Sequence, residues 1–189
     1  MKLKTFSICT SIILSLLVLS CIVCCFIVIP TPFKFTEKPV NITVYNYKKS
    51  SKGETVNSID MKDEYENLYE SFINCSNFSI FERIASGANI FEKVGIDDSQ
   101  KRPTWSTAKS NNATIELQFE TEQYLYVYKN GKSRRIDFNN IAMVIEEKPV
   151  IHEVAIYYKK ANDANYSSLQ IIMNLKTNEL YKIINSIIK

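Results

Sequence analysis

The chain has 189 residues, 23 basic against 20 acidic, a formal net charge of +3, one histidine and five cysteines. Charges this balanced form a solubilising surface rather than a polybasic tract for nucleic acid. Four of the cysteines (Cys9, Cys21, Cys24, Cys25) fall within the first 25 residues, leaving Cys75 alone, so no internal disulfide scaffold is open to the remainder.

Residues 6–29 carry no charge, and fifteen of these twenty-four are Ile, Leu, Val or Phe. As a helix they would be about 36 Å long against roughly 30 Å of bilayer hydrocarbon. Their apolar side chains favour insertion by roughly 5–9 kcal/mol. Pro30 and Pro32 then stop the helix. The expectation is a tail at 1–5, an uncleaved transmembrane signal anchor at 6–29 and a juxtamembrane spacer at 30–40. The rivals are a cleaved secretory signal, for which the run is too long, and a lipoprotein signal modified at Cys21, after which residues 22–29 stay apolar instead of becoming a polar tether. Flanking lysines are nearly balanced (Lys2 and Lys4 against Lys34 and Lys38), so the short tail decides the orientation: N-terminus cytoplasmic, domain outside.

The remaining 41–189 has single-domain length and can bury about 68–70% of its unfolded surface. Residues 41–47 alternate β-branched and aromatic side chains as a strand does, and 54–59 offer a short return strand. Asp60 is expected to cap a helix whose stripe is Met61, Tyr65, Leu68, Tyr69, Phe72 and Ile73. Ser79 and Glu82 form a capping box for a shorter helix carrying Phe81 and Ile84, with Gly87 at its end. Residues 89–96 fit helix and strand equally. Residues 97–112 read as a long polar loop holding the only tryptophan, Trp105.

From Ala113 the apolar period becomes two. Asn130-Gly131 splits 123–138 into a hairpin, and a two-residue turn pairs Lys129 with Lys132, Leu125 with Ile136 and Tyr126 with Arg135. Tyr124 and Tyr128 share the face of Tyr126, where Arg135 offers a cation–π contact. Further strands are expected at 141–145, 153–159 and 168–175. Thr177 caps a last helix striped with Leu180, Ile183, Ile184, Ile187 and Ile188. The fold class is α+β: an N-terminal transmembrane helix, then one domain with a mainly antiparallel sheet packed against two or three helices.

Chemistry-bearing motifs are sparse. His152 and Cys75 have no ligand spacing for zinc, and Asp97-Asp98 lacks the graded oxygens of a calcium loop. Cys75 ends an apolar stripe, as a packing residue would. No G-x-S-x-G, P-loop, H-E-x-x-H or S-x-x-K occurs. No catalytic, cofactor-binding or metal-binding residues are therefore assigned. A ligand or partner surface is expected at Trp105, Tyr126, Lys129, Lys132, Arg134 and Arg135. Trp105 could serve as an interface anchor or plug the end of the sheet, and the hairpin cations could meet an anion or simply blunt a sheet edge.

Sequons at Asn41, Asn74, Asn77, Asn112 and Asn165 would be glycan sites in a eukaryotic or viral secretory host. The overall build resembles the small anchored proteins of AT-rich Gram-positive bacteria, a likeness without a diagnostic motif that transfers no site residues. The expected function is a non-enzymatic extracytoplasmic binding module, partnered by the bilayer through its N-terminal helix and by an envelope polymer or protein. Alternatives are an envelope hydrolase using His152 with nearby carboxylates, and a type II membrane glycoprotein.

Overall fold

The expected hairpin is the longest feature of the sheet. In a computed structural model that describes residues 2–26, 33–46, 59–60, 64–77, 79–85, 95–96, 103–129, 132–167 and 171–187, β4 (Ala113–Lys129) pairs antiparallel with β5 (Lys132–Val144). The register is the expected one: Leu125 opposite Ile136, Tyr126 opposite Arg135, Lys129 opposite Lys132. Asn130 and Gly131 themselves lie outside the described residues. Both strands outrun their expected limits, because the ladder passes through an irregularity between Gln118 and Gln123 instead of ending there. Across it β4 advances from Gln118 to Gln123 while β5 moves only from Asn140 to Phe138, an odd offset, and the buried side chains of β5 change phase, from Ile136 and Phe138 to Ile141 and Met143.

The other strands are β1 (Asn41–Asn46), β2 (Ile59–Asp60), β3 (Gly95–Ile96), β6 (His152–Lys159) and β7 (Ile171–Leu175). Antiparallel ladders join β5 to β6 and β6 to β7. β3 then bridges β7 to the C-terminal half of β4, so the pairings β4-β5-β6-β7-β3-β4 close a ring. β1 takes the free side of β4's N-terminal half, with β2 outside it. The helices are α1 (Lys2–Phe26), α2 (Tyr65–Asn74), α3 (Ile80–Ala85), α4 (Trp105–Asn111) and α5 (Asn178–Ile187). The architecture is α+β.

One face of the sheet forms the main core. Ile115, Leu117, Leu125, Phe138, Met143 and Ile156 pack there against Leu68 and Phe72 of α2 and Leu180 and Ile184 of α5. Tyr65, Tyr69 and Ile73 flank the α2 stripe, and Tyr181 and Ile183 flank that of α5. Met61 and Ile188, also assigned to those stripes, lie outside the described residues. Asp60 does not cap α2. It is spent in the β2 pairing opposite Thr43, and the helix starts after Glu64, whose carbonyl accepts from Leu68 N at 2.9 Å. Thr177 stands at the start of α5 with its carbonyl accepting from Tyr181 N, but its hydroxyl leaves the helix: it donates to Glu146 O (2.8 Å) and accepts from Glu146 N (3.2 Å). The Ser79–Glu82 box closes reciprocally at 2.9 and 3.1 Å. Ile84 is exposed rather than part of a buried stripe.

Residues 33–40 do not behave as a spacer. Phe33 is 2% exposed, with its ring 4.9 Å from that of Phe72, and Phe35 lies 4.8 Å from Phe119. Thr36 donates through its backbone N–H and its hydroxyl to Gln123 Oε1, and Glu37 accepts from Thr121 N. Residues 33–40 therefore pack as part of the domain.

α1 is a 25-residue helix, and its described side chains, those of 8–23, are all exposed. Among the described residues no helix is long and apolar enough to cross a membrane. The run expected to span extends beyond them at 27–29.

Candidate functional site

The second face of the sheet carries the polar residues of the period-two pattern. Adjacent strands bring them into rows: Thr43 of β1, Glu116 of β4 and Ala142 of β5 stand opposite one another, next to Asn41, Gln118, Asn140 and Lys159. Within the stretch expected as a loop at 97–112, of which 97–102 lie outside the described residues, α4 (Trp105–Asn111) covers part of this face. Thr104 caps it by accepting from Thr107 N, and Ala108 is fully buried with Ala142, Ala155 and Tyr157. Trp105 packs beside them, 5.3 Å from the ring of Tyr157 and 5.0 Å from that of Tyr166. Trp105 thus packs on the sheet face rather than at the open end of the sheet, and its ring stays part-exposed and lines a groove.

Glu116 is the centre of this face. Its Oε1 accepts from Tyr166 OH and, at 3.0 Å, from Asn140 Nδ2. Its Oε2 accepts from Tyr45 OH at 3.1 Å. Three neutral donors thus hold a half-buried carboxylate, and among the described residues no cation pairs with it. Burial, reinforced by the Glu116 charge, pushes the phenols of Tyr45 and Tyr166 well above the ordinary tyrosine range.

Two lysines stand over those same rings: Lys109 Nζ lies 4.8 Å from the centroid of Tyr45, and Lys159 Nζ lies 5.2 Å from that of Tyr166. Both are half-buried, and neither forms an ion pair among the described residues. Two adjoining grooves meet at this point, sharing Tyr45, Glu116 and Lys159. One, of about 750 Å³, runs toward Gln118, Glu120, Asn139 and Val40. The other, of about 740 Å³, runs along α4 past Trp105, Ser106 and Lys109 to Asn165. Neither is lined by histidine or cysteine.

The hairpin surface expected from the sequence lies elsewhere. Tyr126, Lys132, Arg134 and Arg135 are exposed, and the side chain of Lys129 falls outside the described residues. Arg135 does make a cation–π contact, with Tyr124 diagonally across the ladder at 4.3 Å rather than with Tyr126 directly opposite, and it pairs with Asp137. Of the six residues singled out, only Trp105 belongs to the grooves. His152 also lies outside them, with Nδ1 3.1 Å from Val150 O. Cys75 is buried, which pushes its thiol up to about 12, a packing residue rather than a nucleophile at neutral pH. Among the described residues no three His, Cys, Asp or Glu side chains gather as metal ligands would, and Asp97-Asp98 falls outside them. Comparison with family profiles, curated proteins and solved structures finds no match for the chain.

Proposed function

We propose that the chain is a membrane-anchored, non-enzymatic binding module whose ligand face is the double groove around Glu116. The observation that carries the reading is the organisation of that carboxylate. Its two oxygens are occupied by Tyr45, Tyr166 and Asn140, and the same tyrosine rings seat Lys109 and Lys159. A preorganised, mixed-charge, aromatic-lined depression suits recognition. No histidine lines the grooves, and the Glu116 carboxylate at their junction is already occupied by three hydrogen bonds rather than poised over open space. The anchoring half of the proposal rests on the uncharged run at 6–29, on the helicity of α1 and on the exposure of every described side chain along it. Side chains of this kind gain nothing in water and several kcal/mol in lipid.

The test uses the full chain in its own membrane. A photoreactive residue placed at Gln118 or Ser106, both exposed on the groove walls, should form adducts that one at exposed Lys148 does not. Protease added to intact cells should remove the domain. Equal labelling at all three positions, or a domain protected from protease, would sink the reading.

A further inference from the structure

We infer that the groove around Glu116 takes an acidic saccharide, a sugar chain bearing carboxylates, with its negative group at the Lys109 and Lys159 end. The inference rests on the reading of this groove as the ligand face. The two lysines carry the positive charge of this groove. A lysine in water is a mobile, strongly hydrated charge. Here each ammonium is stacked on a tyrosine and the side chain is half-buried, so part of its hydration and of its rotamer freedom is already given up. Neither has an anionic partner among the described residues. Glu116 does not fill that role, because its oxygens face the tyrosine hydroxyls and Asn140. The α4 groove therefore offers cations held in place and waiting for a carboxylate.

The rest of the lining selects the kind of molecule. The second groove, which Lys159 also lines, adds Gln118, Asn139, Thr43 and Glu120. These are side-chain amides, a hydroxyl and a carboxylate, which donate to or accept from the hydroxyls of a sugar. Two adjoining grooves of this size, sharing Tyr45, Glu116 and Lys159, suit a chain of rings better than one compact molecule. An acidic peptide fits less well. Peptides are held mainly by backbone pairing at a sheet edge, and this is a sheet face whose backbone groups are committed to the β1-β4-β5-β6 ladders. Isolated lysines hold phosphate as a point charge just as they hold a carboxylate, so inorganic phosphate is a competitor in the titration.

Trp105 is the only tryptophan and lines the groove, so its fluorescence reports occupancy directly. The full chain in detergent micelles would be titrated with oligosaccharides carrying glucuronate, sialate or muramate, and with the same compounds after their carboxylates are esterified. Penta-glutamate and inorganic phosphate serve as competing probes. At least one acidic saccharide should give a saturable Trp105 response. Its ester should bind at least tenfold more weakly, and Lys109→Gln or Lys159→Gln should cost at least tenfold while the thermal transition stays in place. Equal binding of acid and ester, or unchanged affinity in both lysine variants, overturns the inference but leaves the groove as a binding face. Binding of penta-glutamate or phosphate as tight as that of the saccharides overturns it as well. If no saccharide produces either a Trp105 response or a calorimetric heat, the acidic-saccharide assignment is wrong, and the photo-labelling experiment separately decides whether the groove binds anything.

Discussion

Replacing Phe33 by Ala tests whether 33–40 belong to the folded domain. If 33–40 were a spacer, the substitution would be silent. Phe33 is instead 2% exposed, with its ring tilted against those of Phe72 at 4.9 Å and Phe35 at 5.8 Å. Burying a phenyl ring and then deleting it costs about 3–5 kcal/mol through lost transfer energy and the cavity left behind, and the aromatic contacts contribute about 0.5–1.5 kcal/mol of their own. The strap lies at the margin of the core, where collapse is easier, so the lower end, about 3 kcal/mol, is the expected loss. That is a large part of the roughly 5–15 kcal/mol that holds a domain together. With a urea slope of about 2 kcal/mol per molar, the midpoint should fall by about 1.5 M. The assay is urea unfolding of the full chain in detergent, followed by Trp105 fluorescence, with Lys34→Ala at the exposed neighbouring position as the control. A Phe33→Ala midpoint within about 0.25 M of the parent would refute the reasoning and return 33–40 to the role of a spacer.

Three further outcomes are expected. Glu116→Gln should let Tyr45 and Tyr166 ionise at lower pH than in the parent, read as phenolate absorbance in an alkaline titration, although burial, the larger cause of their shift, remains. Because the folded state holds those protons above their ordinary pKa of about 10, the parent should lose stability as pH rises past that value, and the variant less steeply. Glu82 is held below the ordinary carboxylate range, first by the Ser79 backbone N–H and then by Lys176. Its contribution is present above about pH 4.5 and lost as pH falls through the lowered value, so Glu82→Gln should flatten the acid side of the stability profile. The group is exposed enough that the effect should stay within the roughly 1 kcal/mol of a helix cap. Ala108→Leu should cost about 1–3 kcal/mol by overpacking α4 against Ala142, and an unchanged urea midpoint would mean that α4 does not dock there.

What the sequence discloses depends on how local the controlling physics is. The β4–β5 register follows from two turn residues and a period of two, so it was legible down to the pairing of Leu125 with Ile136. The stripes of α2 and α5 were legible because each helix buries large side chains at helical spacing. α4 was not, since it buries only Ala108 and part of Trp105 among Ser, Thr, Lys and Asn, and a single alanine makes no periodicity. Asp60 is a good cap by residue type, but strand pairing with Thr43 competes for its backbone and wins. The Glu116 site is the least local feature of all. Its partners come from β1, from β5 and from the segment after β6, up to 71 residues from Glu116 in sequence. Each reads alone as an outward-facing polar or aromatic residue. Only the alignment of four strands turns them into a site.

The strap at 33–40 links the proposed anchor to the sheet through the irregularity in β4. β1 occupies the free side of that strand only as far as Gln118. Beyond it, between Gln118 and Gln123, the β4–β5 ladder lapses, and the strap supplies bonds that β1 does not: Val40 N to Gln118 O, Thr121 N to Glu37 Oε1, and Thr36 to the side chain of Gln123, which is 1% exposed. Gln118 and Thr121 are exposed, but the buried Gln123 side chain would cost on the order of 1–3 kcal/mol if left unmet, so the Thr36 contact ties the strap to the irregularity. The covalent consequence is geometric. Seven residue steps separate Phe26, the last residue of α1, from the seat of Phe33, and seven steps reach at most about 25 Å when fully extended. If α1 lies in a bilayer as proposed, the seat of Phe33 stays within that distance of the helix end.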